Sequence, residues 1–158
     1  MSQKTTNAMR LLTQAGISFD TQSYEVDEAD LSGTHVASQL GLPPEQVFKT
    51  LVARGEKNGI MVFCIPAAEE LDLKKAAALT RDKKIEMIHV RELQSLTGYI
   101  RGGCSPIGMK KKYPTFIDET AILFDRIYVS AGMRGMQIIL RPDDLIQFTQ
   151  AHTADLVK

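Results

Sequence analysis

A chain of 158 residues, 44% hydrophobic and 24% charged, has the make-up of one ordinary globular domain with a substantial core. Nineteen basic residues balance nineteen acidic ones, so no global field draws the chain to nucleic acid, and any such partner must be held by a local basic patch. No apolar run of about 18 residues is present to span a membrane, the N-terminal "MSQKTTNAMRLLTQAG" lacks a signal-peptide pattern, and two well-separated cysteines make neither a disulfide framework nor a CxxC site, so a cytoplasmic location is expected.

In chain order, "TTNAMRLLTQAG" carries Ala8, Leu11, Leu12 and Ala15 at helical spacing, with Gly16 placed to end the helix. "ISFDTQSYEV" reads as a strand, and "SGTHVASQLGLPPEQ" as a short helix ending near Gly41, where Pro43 and Pro44 allow a fresh turn. "VFKTLVAR" and "GIMVFCIP" are two strong strands, and "GEKN" between them predicts a hairpin. "ELDLKKAAALT" and "VRELQSLTG" are predicted helices, the first with Leu73, Ala76 and Ala77 on one face and the second leaving at Gly98. Two glycine-rich loops follow, "YIRGGCSPIG" and "VSAGMRG", with short strands "TFID" and "RIYV" between them and "MQIILRP" after them. The tail begins as a helix, with Pro142 in its first turn and Asp143 and Asp144 beside it. Strands and helices alternate irregularly, so residues 1–158 are expected to form a single α+β domain around one curved mixed sheet.

Lys49 stands out within the first strong strand. Phe48, Thr50 and Val52 point to one face and Val47, Lys49, Leu51 and Ala53 to the other, and apolar residues on both faces predict cover on both sides. A lysine there must reach water, meet a carboxylate, or hold the negative charge of a ligand. The more familiar motifs fail. "GCSPIGMK" misses the phosphate-loop pattern, because Met109 stands where lysine is required and Pro106 interrupts the loop. His35, His89 and His152 have no metal-site spacing, so no metal is expected. Cys104 beside Arg101 could serve as a nucleophile, but no base is placed for it, and a small residue packed under a tight turn is the preferred reading. Cys64 belongs to the core. The basic run "KKKYP", Arg101 and Arg134 are weak candidates for phosphate contacts. The glycine loops either make sharp turns at strand ends or let backbone N–H groups approach an anion or a polarised carbonyl. Together these features point to an anion-binding pocket that does no chemistry or lets its substrate do it.

"SYEVDE", "LGLPPEQVFKTLVA", "LDLKKAAALT", "TGYIRGGCSPIGMKKKYPTFID" and "IYVSAGMRGMQIILRPDDLI", in that order, resemble the YbaK/EbsC family of aminoacyl-tRNA deacylases, related to the editing domain of bacterial prolyl-tRNA synthetases. The resemblance runs from about residue 8 to residue 150. It implies a curved mixed sheet flanked by helices, no cofactor, and removal of cysteine from mischarged Cys-tRNA(Pro), with Cys-tRNA(Cys) a second candidate substrate, in company with prolyl-tRNA synthetase. It places the essential lysine at Lys49 and substrate contacts at Tyr24 and Thr50. Its first loop falls on Gly102, Gly103, Ser105 and Pro106, and its second on Ser130, Gly132, Arg134 and Gly135, with Gln137 just beyond as a further substrate contact. Two places depart from the cysteine-specific pattern: Gln137 stands where an aspartate is expected, and the neighbourhood of Leu31 lacks an aromatic residue. Both bear on amino-acid specificity. The implied mechanism is attack by the bound cysteine's own thiolate on its ester carbonyl, with Lys49 facing a phosphate near the tRNA 3′ end. The alternatives are an alanyl-tRNA deacylase that activates water, and a non-catalytic module that binds tRNA ends or nucleotides.

Overall fold

The computed structural model describes residues 5–158. α1 (Asn7–Gln14) starts where the Thr6 hydroxyl accepts from Met9 N at 3.2 Å, and it buries Ala8, Met9 and Leu12. β1 (Asp20–Ser23) is the middle of the expected strand. α2 (Gly33–Leu40) ends on Gly41, left-handed at φ 69°, and Pro44–Gln46 makes the fresh turn as a 3-10 helix. β2 (Phe48–Gly55) and β3 (Gly59–Pro66) form the expected hairpin. Next come α3 (Leu73–Thr80), β4 (Ile85–Met87) and α4 (Val90–Thr97), whose exit is Gly98 at φ 86°. β5 (Thr115–Asp118), a 3-10 turn at Glu119–Leu123, β6 (Ile127–Ser130) and β7 (Met136–Leu140) lead to α5 (Pro142–Thr149) and β8 (His152–Ala154).

The fold is the expected mixed α+β type, but in place of the one curved sheet expected its strands pair into two separate sheets, or ladders, because β2 and β6 share no more than an isolated bridge. One is antiparallel, in the order β1-β7-β6. The other runs β4-β2-β3-β5-β8, with β5 parallel to both β3 and β8. Among the described residues a single parallel bridge, Val47 to Tyr128, joins them.

β3 explains why the hairpin reads as continuously apolar. Val62 and Cys64 face a core shared with Ile117, with Val129, Ile138 and Leu140 of the smaller ladder, and with α1. Met61, Phe63 and Ile65 face a second core closed by Ala76 of α3 and by Leu156, where the rings of Phe63 and Phe116 stack 5.3 Å apart. Both faces are covered, as the sequence pattern requires.

Asp118, 1% exposed at the end of β5, fastens the C-terminal segment. Its Oδ1 accepts from Leu156 N at 3.0 Å, and its Oδ2 accepts from Thr120 Oγ1 at 2.6 Å and from Thr120 N at 3.3 Å. Asp118→Ala leaves a buried peptide donor without an acceptor and is expected to cost about 2–3 kcal/mol in urea unfolding. Asp118→Asn keeps a carbonyl acceptor and should lose less. Equal losses for the two variants would mean that packing rather than hydrogen bonding fixes this end of the chain.

Candidate functional site

A cavity of about 370 Å³ opens where the two ladders diverge. Its position follows from the peptide orientations of β2. Val47 O accepts from Ala67 N at 2.8 Å, so Val47 bonds within the hairpin. Val62, opposite Val52, turns away and donates to Pro114 O at 2.9 Å. In an antiparallel pair these orientations alternate. Val47, Lys49, Leu51 and Ala53 therefore bond to β3, while Phe48, Thr50 and Val52 turn their peptide groups to the opposite edge.

On that edge Val52 O accepts from Ile88 N at 3.3 Å, and β4 continues the pairing from Ala53 onward. At the other end β6 joins by its one bridge at Val47, and the parallel ladder is not repeated at Lys49 and Ser130. The peptide group of Thr50 faces the gap between these two junctions. Ser130 looks into the same gap from β6, and Gln137, its ladder partner on β7, stands beside it.

The remaining wall comes from helix ends and loops. Ser32 and Gly33 bring the start of α2 to the cavity, the Ser32 hydroxyl capping His35 N at 3.3 Å. Gly33 is required here, because a Cβ on it would lie 2.9 Å from the Ala67 Cβ and 3.9 Å from the Lys49 Cβ. Leu31, Val36, Met87, Ile88, Val90 and Leu93 make an apolar side, and Arg101, Gly102 and Cys104 close it.

Of the residues expected at the site, Lys49, Tyr24, Thr50, Gly102, Ser130 and Gln137 meet on this wall. Gly103, Ser105, Pro106, Gly132 and Arg134 stand behind it. Arg134 Nε donates to Arg101 O at 2.8 Å, and a Cβ on Gly103 would press on Arg134 N at 3.2 Å. Gly132, at φ 96°, makes room for the ring of Tyr99. Ser105 is fully buried, and its hydroxyl accepts from Ile107 N at 3.2 Å. Pro106 lines a different hollow, with Leu11 and Tyr113. The two glycine loops thus lock onto each other and hold Arg101 and Gly102 at the cavity.

The charge on this wall is positive. Lys49 and Arg101 line it, and no Asp or Glu does. Among the described residues no carboxylate lies within 4 Å of Lys49 Nζ; burial pulls its ammonium below the ordinary lysine value, with Glu70 and Glu69 opposing at longer range. Burial pushes the Cys104 thiol up to about 12, so it is a neutral thiol at physiological pH. Cys64, in the core behind Thr50, is likewise pushed up to about 12. The apolar wall was not anticipated from the sequence as a site, although Val90 and Leu93 share one face of α4 at helical spacing.

A cavity with two cations, an open strand edge, an apolar side and no carboxylate or histidine suits an anionic ligand with a small apolar part. The chain belongs to the aminoacyl-tRNA editing domain family, whose pattern matches residues 30–148. It is 46% identical over 155 residues to EbsC of Enterococcus faecalis (strain ATCC 700802 / V583), assigned as a Cys-tRNA(Pro)/Cys-tRNA(Cys) deacylase, with 98% of this chain and 94% of that one covered. A solved structure assigned as a trans-editing enzyme for prolyl-tRNA synthetase superposes with a TM-score of 0.83 at 25% identity, covering 97% of this chain and 98% of the other. A stretch of the proline–tRNA ligase of Kosmotoga olearia (strain ATCC BAA-1733 / DSM 21960 / TBF 19.5.1) is 32% identical over 99 residues, which is 63% of this chain and 17% of the ligase.

Proposed function

We propose that this protein is an aminoacyl-tRNA deacylase that removes cysteine from mischarged Cys-tRNA(Pro), and that the substrate's own thiolate performs the attack. The observation that carries the reading is the make-up of the cavity wall: two cations, and no histidine, carboxylate or ionised thiol to act as base or nucleophile. The 46% identity to the Enterococcus deacylase over nearly the full chain supports the substrate assignment.

In this mechanism Lys49 and Arg101 hold a phosphate near the 3′ end of the tRNA, where charge pairing offsets the burial of Lys49. The Thr50 N–H, turned to the cavity edge, polarises the ester carbonyl. The cysteinyl thiolate attacks that carbonyl carbon, the new C–S bond closes a cyclic thioester, and the C–O bond to the ribose breaks. The thiol proton, lost to solvent beforehand, is matched by one taken up by the ribose oxygen. A free thiol is a few per cent ionised near neutral pH and intrinsically nucleophilic, so orientation supplies most of what the reaction needs. Action in the cytoplasm, alongside prolyl-tRNA synthetase, completes the proposal.

The experiment that tests the reading is a panel of tRNAs charged with cysteine, alanine, serine and proline, assayed for release and for binding. Release of cysteine from proline tRNA is expected. Preferred release of alanine would indicate a water-activating deacylase, and binding without release a non-catalytic module. Within the same assay Cys104→Ser and Cys64→Ser are expected to keep substantial activity, since both thiols are held protonated. A loss of about 1,000-fold for Cys104→Ser would instead make Cys104 the nucleophile.

A further inference from the structure

Gln137 carries a polar group that the protein leaves unsatisfied. The residue is 6% exposed on β7, and its Oε1 is the one buried side-chain polar atom without a hydrogen-bond partner among the described residues. An unpaired buried amide oxygen destabilises the fold, and such groups are retained where something else completes the bond. Gln137 lies on the cavity wall, flanked across the ladder by Ser130 on β6 and Gln22 on β1. What it lacks is a donor.

The surroundings fix the charge of that donor. The charged side chains on the wall are Lys49 from β2 and Arg101 from the first glycine loop, both basic; the other titrating groups are Tyr24 after β1 and Cys104, which burial keeps neutral. Glu69 and Glu70 act on Lys49 from outside the wall. A carboxamide oxygen is a neutral acceptor, and a further cation beside two others is disfavoured.

We infer that Gln137 receives the α-amino group of the aminoacyl substrate, and receives it as the uncharged amine. The inference rests on the deacylase reading and deepens it. Every aminoacyl ester brings this donor into the cavity, whatever its side chain. An α-amino group ordinarily titrates at about 7.7–8.0, so its free base is available near neutral pH at small cost. A carboxylate at this position would hold the ammonium instead. The glutamine therefore selects a protonation state of the substrate rather than the identity of its side chain.

Binding tests this more cleanly than turnover, because a cysteinyl thiol also ionises as pH rises. Two stable ligands serve: 3′-amino-3′-deoxyadenosine carrying alanine through an amide bond, and the same nucleoside carrying propionate, which lacks the amino group. The wild-type protein is expected to bind the alanyl compound about tenfold more tightly above the amine pKa and to lose that preference below it. Gln137→Met should abolish the preference at every pH and raise the melting temperature of the free protein. Gln137→Glu should restore a preference below the amine pKa by pairing with the ammonium. A preference that survives Gln137→Met overturns the inference. So does a lower melting temperature for that variant, which would mean that the oxygen already has a partner inside the protein. Equal weakening of both compounds would give the bond to a ribose hydroxyl and overturn it too. Failure of the wild type to bind either compound would count against the deacylase reading itself, and the inference would fall with it.

Discussion

Lys49→Ala is expected to lower amino-acid release by about 100-fold while leaving the protein folded. The first half follows from the loss of a charge-assisted contact, which contributes about 1.5–3 kcal/mol where it is desolvated. The second half follows from what Lys49 does not touch. No carboxylate lies within 4 Å of it among the described residues, so its removal strands no buried counter-charge. The sign of the pH effect agrees. Burial depresses the folded-state pKa of Lys49, so between that value and the unfolded one the folded chain holds fewer protons than the unfolded chain. The lysine is therefore a burden on stability at and below that window, and the burden disappears as pH rises through it. Lys49→Met, which keeps the aliphatic stem, should melt no lower than wild type near neutral pH. Deacylation and thermal melting measured together decide the matter. A folded Lys49→Ala protein with normal activity would remove Lys49 from the site, and an unfolded one would make it a structural lysine.

The parts of this arrangement that could be read in the sequence are those fixed by local chemistry. The hairpin was legible because β3 presents apolar residues to both faces in one continuous run, Met61 to Ile65, and α2 because Ser32 caps one end and Gly41 the other. β4 and β8 were not. Each has three residues, and each exists because a neighbouring strand supplies its partners: β2 for Ile85–Met87 and β5 for His152–Ala154. The expected strand at residues 17–26 is shorter because only Asp20–Ser23 face β7. Lys49 could be singled out because a charge in an apolar strand breaks a local pattern. The cavity could not, because it lies in the gap between two ladders that meet at one bridge, and nothing in "QVFKTLVA" says where its neighbours stop pairing. The glycine loops were correctly read as permissive. Their freedom is used mostly for packing against each other, with Gly102 the glycine among them that reaches the cavity.

The sharpest expected result concerns the substrate's sulfur. Proline tRNA charged with cysteine should be cleaved, and the same tRNA charged with serine should persist far longer. Serine is nearly isosteric with cysteine, so an apolar-sided cavity separates the two by binding alone by no more than about 100-fold. The chemical difference is larger. A thiol is a few per cent ionised near neutral pH and a hydroxyl essentially not at all, so self-attack by serine requires a protein base. The wall carries none: its titrating groups are Lys49, Arg101, Tyr24 and a Cys104 thiol held up at about 12. Gln137, where a carboxylate was expected, places a neutral amide on the wall, and an amide is no base. Single-turnover release from the two tRNAs is the measurement, with alkylation of the cysteinyl thiol as a control. Loss of release on alkylation is expected, because the modified sulfur has no lone-pair anion to offer while the ester and the tRNA are unchanged. Equal rates for cysteine and serine, or undiminished release after alkylation, would mean that a water molecule attacks the ester. The open edge at Thr50 would then be the place to look for what orients it.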